Sequence, residues 1–436
     1  MIVEFSLGNY RSFNEVQTLH LQAAKIKSKY KSTDINNVFE AGDKYSLLKS
    51  KIIYGANASG KSNLIRGMAA MLNIIRDSFK DDSIIQKTVE PFRLSKSTLQ
   101  EPTFFQISFI LENVPYRYGM QLKDGKICDE WLFGTPGKKE VYFFIREGLS
   151  VKVNENQFKE ALKILPDNED ETPIYGESAL FLTVAAASKR PLAEKIASKL
   201  TDNTHIIFNV TNNKFFTENL LRSFKNAQFK TLLSNLLRSI GIEINTIERK
   251  EIDLKQFPKE LQELFISIGE EPATIEITRK MNTEGNEKDS FAIFDLGKDE
   301  AEGTKKMIAL SPYIFSSLLL GQTIIIDEFD AKLHPRLSRK IIELFNSNET
   351  NPKNAQLIVI SHDTNLMDAQ LFRRDQIGFV EQDEFGASQL YSLVEYKGIR
   401  NNASFEKDYL KGKYGAVPFL NAVDNLFVSD KALEDA

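Results

Sequence analysis

One segment of eight residues, Gly55-Ala56-Asn57-Ala58-Ser59-Gly60-Lys61-Ser62, constrains this chain more than anything else in it. The spacing G-x-x-x-x-G-K-[ST] describes a loop that cradles phosphates when a strand runs into it and a helix leaves it. Its glycines let backbone amides turn inward onto phosphate oxygens, at the positive end of the following helix. Lys61 then neutralises the terminal phosphates, and the Ser62 hydroxyl is a magnesium ligand. The flanks agree with this reading. Lys51 to Tyr54 reads as a buried strand, and Leu64, Ile65, Met68, Met71, Leu72, Ile75 and Phe79 keep helical spacing. Gly55, Ala56, Asn57, Ala58, Ser59, Gly60, Lys61, Ser62 and Asn63 are therefore the expected nucleotide-binding residues, with MgATP as the ligand.

A strand-loop-helix opening implies an α/β chain. Strands are expected at Ile2 to Phe5 and Thr18 to Leu21. An antiparallel meander is expected at Thr103 to Ile110, Tyr116 to Met120, Trp131 to Phe133 and Val141 to Ile145. Between about 155 and 268 the pattern turns helical, most clearly in the stripe from Leu220 to Ile240. Strands return at Ala273 to Arg279 and Phe291 to Leu296 around a polar hairpin, Asn282 to Asp289. A helix from about Lys305 to Leu319, the strand Thr323 to Ile326, a helix near Pro335 to Phe345 and the strand Leu357 to Ile360 complete the pattern. At 436 residues the chain exceeds the usual size of one hydrophobic core, so two lobes are expected. The division is 1–154 and 271–436 for the two parts of the nucleotide-binding unit, with 155–270 as a helical insertion.

Composition narrows the function. Cys128 is the single cysteine and the four histidines are scattered, which excludes an internal disulfide and disfavours a zinc site. The net charge of −4 supplies no global basic field for nucleic acid. The local runs Lys25 to Lys31 and Arg222 to Lys225 read as solvated faces. No apolar run reaches the roughly 18 residues of a membrane span, and the first residues lack the build of a signal peptide, so a cytoplasmic protein with no membrane contact is expected. Trp131, Phe143 and Phe144 lie in strands of alternating pattern, where aromatic residues are core residues.

Far downstream of the loop, four apolar β-branched residues end in Asp327-Glu328. A buried parallel strand would deliver Asp327 beside the loop to hold magnesium, and Glu328 could polarise the attacking water as a general base. The strand Ile358-Val359-Ile360 leads to Ser361-His362, which places a histidine where it can sense the γ-phosphate. Glu302-Gly303-Thr304-Lys305-Lys306 opens a helix just ahead of the acidic strand, a second glycine-opened terminus suited to phosphate. Glu328, His362 and Lys61 are thus the catalytic candidates, Ser62 and Asp327 the metal ligands, and Gly303 and Thr304 further nucleotide contacts. Arg11 either approaches the nucleotide from the N-terminal loop or lies on the surface.

This set of motifs, together with Asp330-Ala331-Lys332-Leu333-His334-Pro335 after the acidic pair, resembles the ABC ATPases of the RecF/SMC type. More narrowly, Asn9-Tyr10-Arg11-Ser12-Phe13, Tyr116-Arg117-Tyr118-Gly119 and the tail from Lys407 to Pro418 resemble the bacterial anti-phage ATPases of the AbiL, RloA and PARIS AriA group. The resemblance implies an ABC-type P-loop ATPase head, with a mixed sheet and an antiparallel β-subdomain, carrying a helical insertion. It further implies a homo-oligomer of ATP-bridged head pairs, Gly303 and Thr304 of one subunit completing the site of the other. The family's role implies abortive infection, with a phage-derived trigger and a separately encoded effector such as a TOPRIM-like nuclease. A RecF-like DNA-repair clamp is the alternative, and a scaffold with negligible turnover a third reading. The signature segment Ala301-Glu302-Gly303-Thr304 departs from the serine-glycine-glycine form of transporters. After the expected strand Phe181 to Val184, relatives often carry a glutamine where this chain reads Ala185-Ala186-Ala187-Ser188.

Overall fold

The strand that feeds the glycine loop is buried along its whole length. In the computed structural model, which describes residues 1–42, 44–168, 171–208, 214–268, 272–281, 290–399 and 403–418, this strand lies inside a six-stranded sheet. The order is β11 (Thr204–Ile207), β15 (Thr323–Ile326), β16 (Gln356–Ile360), β5 (Ser50–Tyr54), β17 (Ile377–Gln382) and β18 (Ser388–Ser392). Neighbours from β11 to β17 are parallel, and β18 is antiparallel to β17. Side chains alternate across a strand. Accordingly Ile53, Ile325, Ile358 and Ile360 enter one core cluster with the helix Lys61–Asp77, while Ile52, Tyr54, Ile324, Ile326, Leu357 and Val359 enter another. That second cluster takes in the helices Glu302–Leu320 and Pro335–Asn346. Coverage on both faces is why these strands read as unbroken apolar runs.

The expected meander forms a second, antiparallel sheet with the order β10 (Ser150–Val153), β9 (Val141–Glu147), β8 (Lys126–Gly134), β7 (Val114–Lys123), β6 (Thr103–Leu111), β1 (Ile2–Gly8) and β2 (Gln17–His20). Phe105, Ile107 and Phe109 of β6 share a core cluster with Leu64, Met68 and Met71 of the helix that follows the loop. The two sheets thus pack through that helix. Phe143 and Phe144, though consecutive, are both buried in the same cluster, where the pairing of β8 with β9 shifts register, whereas Trp131 is only half-buried and its Nε1 donates to Gln106 Oε1 at 3.2 Å. The remaining strands form a hairpin, β3 (Val38–Ala41) with β4 (Tyr45–Leu48), and a three-stranded sheet, β12 (Thr246–Glu251), β13 (Ala273–Lys280) and β14 (Phe291–Asp295). No helix among the described residues is long and apolar enough to cross a membrane.

Three local expectations are corrected. Phe181 to Val184 is not a strand but the start of a helix, Phe181–Ala187. Its alanines favour helix, and a buried carboxylate from the neighbouring sheet satisfies its first amides: Glu130 accepts from Phe181 N at 2.7 Å and from Leu182 N at 3.0 Å. The stretch from 155 to 268 is not purely helical, for it contributes β11 to the main sheet beside β15, and β12 to the small sheet. Each is too short or too polar for its period to stand out. The stripe from Leu220 to Ile240 is two helices, Lys214–Ser223 and Ala227–Ser239, parted where Asn226 Oδ1 accepts from Gln228 N at 2.8 Å. The polar hairpin from Asn282 to Asp289 lies outside the described residues.

Glu130 is fully buried, 3.6 Å from the equally buried Arg146, and also accepts from the Tyr118 hydroxyl at 2.9 Å. Removing one partner of a buried pair leaves the other charge uncompensated. Glu130→Ala is therefore expected to cost about 3–5 kcal/mol, read from the midpoint of denaturant unfolding with the slope unchanged.

Candidate functional site

Three adjacent parallel strands, β15, β16 and β5, end side by side, with Ile326 in register with Val359 and Ile360 with Ile53. Asp327 follows β15 directly, His362 stands two residues beyond β16, and Gly55 follows β5. Ligands of open α/β sheets bind at such carboxyl ends. A cavity of about 470 Å³ opens there, lined by loop residues 57–63 together with Arg66, Asp327, Glu328, Ile360 and His362.

The loop is held from outside as well as by its own turn. Gly60 has φ +105°, where side chains rarely go, and a Cβ on it would fall 2.1 Å from Ser388 Oγ and 2.6 Å from Ser12 Oγ. Ser388 Oγ donates to the Ser59 carbonyl at 2.7 Å, and its amide donates to the Ser12 carbonyl at 2.6 Å. Asn63 Nδ2 in turn donates to Ser12 Oγ at 2.9 Å. Lys61 Nζ donates to the carbonyls of Gly55 at 2.9 Å and Ala56 at 2.7 Å, which keeps the ammonium at the loop's own rim. Burial lowers its pKa, opposed by the charges of Asp327 and Asp330.

Asp327 is buried and accepts from the Glu328 amide at 3.0 Å. Glu328 is exposed to the cavity side with φ +50°, an unusual backbone for a residue with a Cβ. Its carbonyl is fixed by a buried cation: Lys306 Nζ donates to Glu328 O and to Ala331 O, both at 2.8 Å. Burial pushes the Lys306 pKa down to about 8. The His362 amide donates to Asp330 Oδ1 at 3.0 Å. Its imidazole pKa is lowered, first by burial and then by the nearby Lys61 ammonium.

Gly303 and Thr304 are not brought to this cavity. They lie in the first turn of the Glu302–Leu320 helix, against the segment after the acidic pair, where a Cβ on Gly303 would fall 2.6 Å from Lys332 O and Glu302 pairs with Lys332 at 3.0 Å. Arg11 turns away and pairs with Glu90 at 2.8 Å, so it sits with the surface reading. Ala185 to Ser188 end the Phe181–Ala187 helix and do not line the cavity. In the tail, Tyr409 stacks on Phe379 at 5.5 Å and donates to Ala416 O at 2.9 Å, while Tyr414 O accepts from Tyr391 and Tyr396. These tyrosines brace the sheet.

Four residues at the site escaped the motif reading. Arg66 carried a usable signal, one helical turn beyond Ser62. Lys306 stands in the basic pair after the signature segment, and Ser12 lies within Asn9 to Phe13, yet neither marks itself as a contact. Ser388 has no local signal, since only the fold brings it to the loop.

The fold and the loop define a P-loop nucleotide-binding protein of the α/β class. Over residues 52–368 the chain matches the family described as "AAA domain, putative AbiEii toxin, Type IV TA system", and it belongs to that family of P-loop ATPases. Among solved structures it is similar to the SMC head domain from Thermotoga maritima, at 12% identity over 90% of this chain and 98% of that one, with a TM-score of 0.38. It is also similar to an SmcHead bound to the C-winged helix domain of ScpA, at 14% identity over 90% and 97%, TM-score 0.39. A third is the Smc head domain with an extended coiled coil derived from Pyrococcus furiosus, at 13% identity over 94% and 98%, TM-score 0.37. No curated protein matches the chain.

Three expectations follow from the site. Lys306→Met removes the charged donor shared by the Glu328 and Ala331 carbonyls and is expected to cost about 1–3 kcal/mol, measured by thermal or denaturant unfolding. The His362 imidazole should titrate below the usual imidazole range, because burial and the Lys61 ammonium disfavour its charge, followed by its ring-proton NMR shift. Lys61→Ala should move that titration upward, because a nearby cation disfavours the protonated ring.

Proposed function

We propose that this chain is an ATP-hydrolysing switch that works as paired heads, the sensor and regulatory ATPase of an anti-phage system that controls a separately encoded effector. The observation that carries the reading is the division of the motifs. Loop, acid, base and histidine line one cavity, whereas Gly303 and Thr304 open a helix outside it. A second copy can present that helix terminus to the exposed side of a bound triphosphate, so nucleotide would bridge two heads and hydrolysis would release them.

The donor set suits magnesium. Ser62 and the buried Asp327 line the same cavity, and magnesium is characteristically bound through one or two carboxylates beside phosphates and water. Ser62 and Asp327 would hold the ion, and its charge there would offset that of the terminal phosphates. The loop amides and Lys61 orient the triphosphate. Glu328 accepts the proton of the attacking water, and His362, kept neutral, hydrogen-bonds near the γ-phosphate. The family description and the resemblance to anti-phage ATPases support the cellular role, with a TOPRIM-like nuclease encoded nearby as the effector and a phage product as the trigger.

Glu328→Gln should retain ATP binding and lower phosphate release by about a hundredfold or more, while the ATP-bound pair accumulates in analytical ultracentrifugation. Parental turnover in that variant would remove Glu328 as the base. Pairing is tested by mixing. Lys61→Ala and Thr304→Glu should each be inactive alone but recover turnover together, because one composite site of the mixed pair is intact; a mixture as dead as its parts would mean that sites do not cross subunits. For the cellular role, plaque counts on cells carrying this gene with its neighbour should rise to the unprotected level with Lys61→Ala, and protection that survives this change would sink the proposal.

A further inference from the structure

A second cavity, of about 540 Å³, lies where the open edges of the two large sheets meet. β2 is the last strand of the antiparallel sheet and β18 the last of the nucleotide sheet. Across their junction the Leu390 amide donates to Gln17 Oε1 at 2.9 Å. Leu19, Leu390 and Val394 supply apolar wall, and Lys51 and Asp375 line the cavity as well. Clefts of this size between packed units, mostly apolar with a few polar groups, are where small ligands bind.

Lys51 is the unusual member. It lies on β5, the strand that delivers the glycine loop, and is 4% exposed. An ammonium has three donors, and among the described residues this one has a single acceptor, the Asp375 carbonyl at 2.7 Å. The carboxylates nearby are engaged elsewhere. Asp375 accepts from Arg373 Nε at 3.0 Å, from Arg373 Nη2 at 2.8 Å and from the Ala24 amide at 2.7 Å. Glu395 is exposed and accepts from the Ser392 amide at 2.7 Å. His20, also at the cavity, is paired with Glu4 at 3.2 Å. Burial pushes the Lys51 pKa down to about 8, opposed by the charges of Asp375 and Glu395. A buried cation is costly unless it is paired, and an apolar side chain would fill the same strand position.

We propose that this cavity binds a small organic anion, a carboxylate or phosphate head on a short apolar body, with the head held by Lys51 Nζ and the body against Leu19, Leu390 and Val394. Such a ligand would supply the acceptors that the ammonium lacks, and it would grip the strand that ends at Gly55.

The test uses the full chain with hexanoate, hexyl phosphate and hexanol as probes, read by calorimetry and saturation-transfer NMR. One site per chain is expected for hexanoate or hexyl phosphate, with hexanol weaker by about tenfold or more, as loss of a charge-assisted hydrogen bond implies. Lys51→Met should weaken the anion by a similar factor. Leu390→Trp, which fills the cavity and leaves the ammonium in place, should abolish binding, and it decides the matter alone if Lys51→Met fails to fold. Because hexyl phosphate could also enter the phosphate loop, Lys61→Ala is run in parallel and should leave binding at this cavity unchanged. The proposal is overturned if neither anion binds the parental chain, if Lys51→Met binds as well as the parent, or if binding is lost with Lys61→Ala.

Discussion

The parallel pairing of β15, β16 and β5 is the constraint on which the candidate site depends. Each strand carries one chemical group past its carboxyl end, and only their adjacency puts Asp327, His362 and the loop around one cavity. That adjacency is held by apolar side chains on both faces of the sheet, not by contacts among the site residues themselves. A slip by one residue would exchange the side chains of the two core clusters, and because interiors are close-packed that exchange would break the fit on both faces, so the register is firm. The precision of the site is inherited from that register.

Buried charge is the second theme. Lys306 tethers the strained turn at Glu328 to the helix opened by Gly303, so the acidic strand end and that helix terminus are joined through one side chain. Glu130 and Arg146 tie the antiparallel sheet to the Phe181–Ala187 helix. Ser12 and Ser388, from opposite ends of the chain, close on the glycine loop. Each contact joins parts of the molecule that would otherwise meet only through apolar packing, which is non-directional. Directional hydrogen bonds set the angles that packing leaves loose.

How much of this was legible in the sequence varied with how local the physics was. The glycine loop was legible because its function rests on backbone amides and two adjacent side chains within one turn. Asp327 and Glu328 were legible because the four residues before them are all β-branched, which favours strand. The helix at Phe181 was misread as a strand because its short apolar run gives no distinguishing period, and the carboxylate that caps it lies on β8. β11 was hidden for the same reason, a four-residue strand that pairs with β15, distant in the chain.

By itself the sequence determined that this chain is an α/β protein with a phosphate-cradling loop, an acidic strand end and a histidine after a third strand, since each is a short-range pattern whose chemistry is complete within a few residues. Only the tertiary structure decided that these groups share one cavity, that Arg11 turns instead to Glu90, and that Ser388 and Lys306 support the loop and the acidic turn. It also decided that Gly303 and Thr304 stand outside the cavity. The reason is physical: contacts between residues far apart in the chain arise from packing of the folded sheets, and no local periodicity encodes which distant partner a side chain will meet.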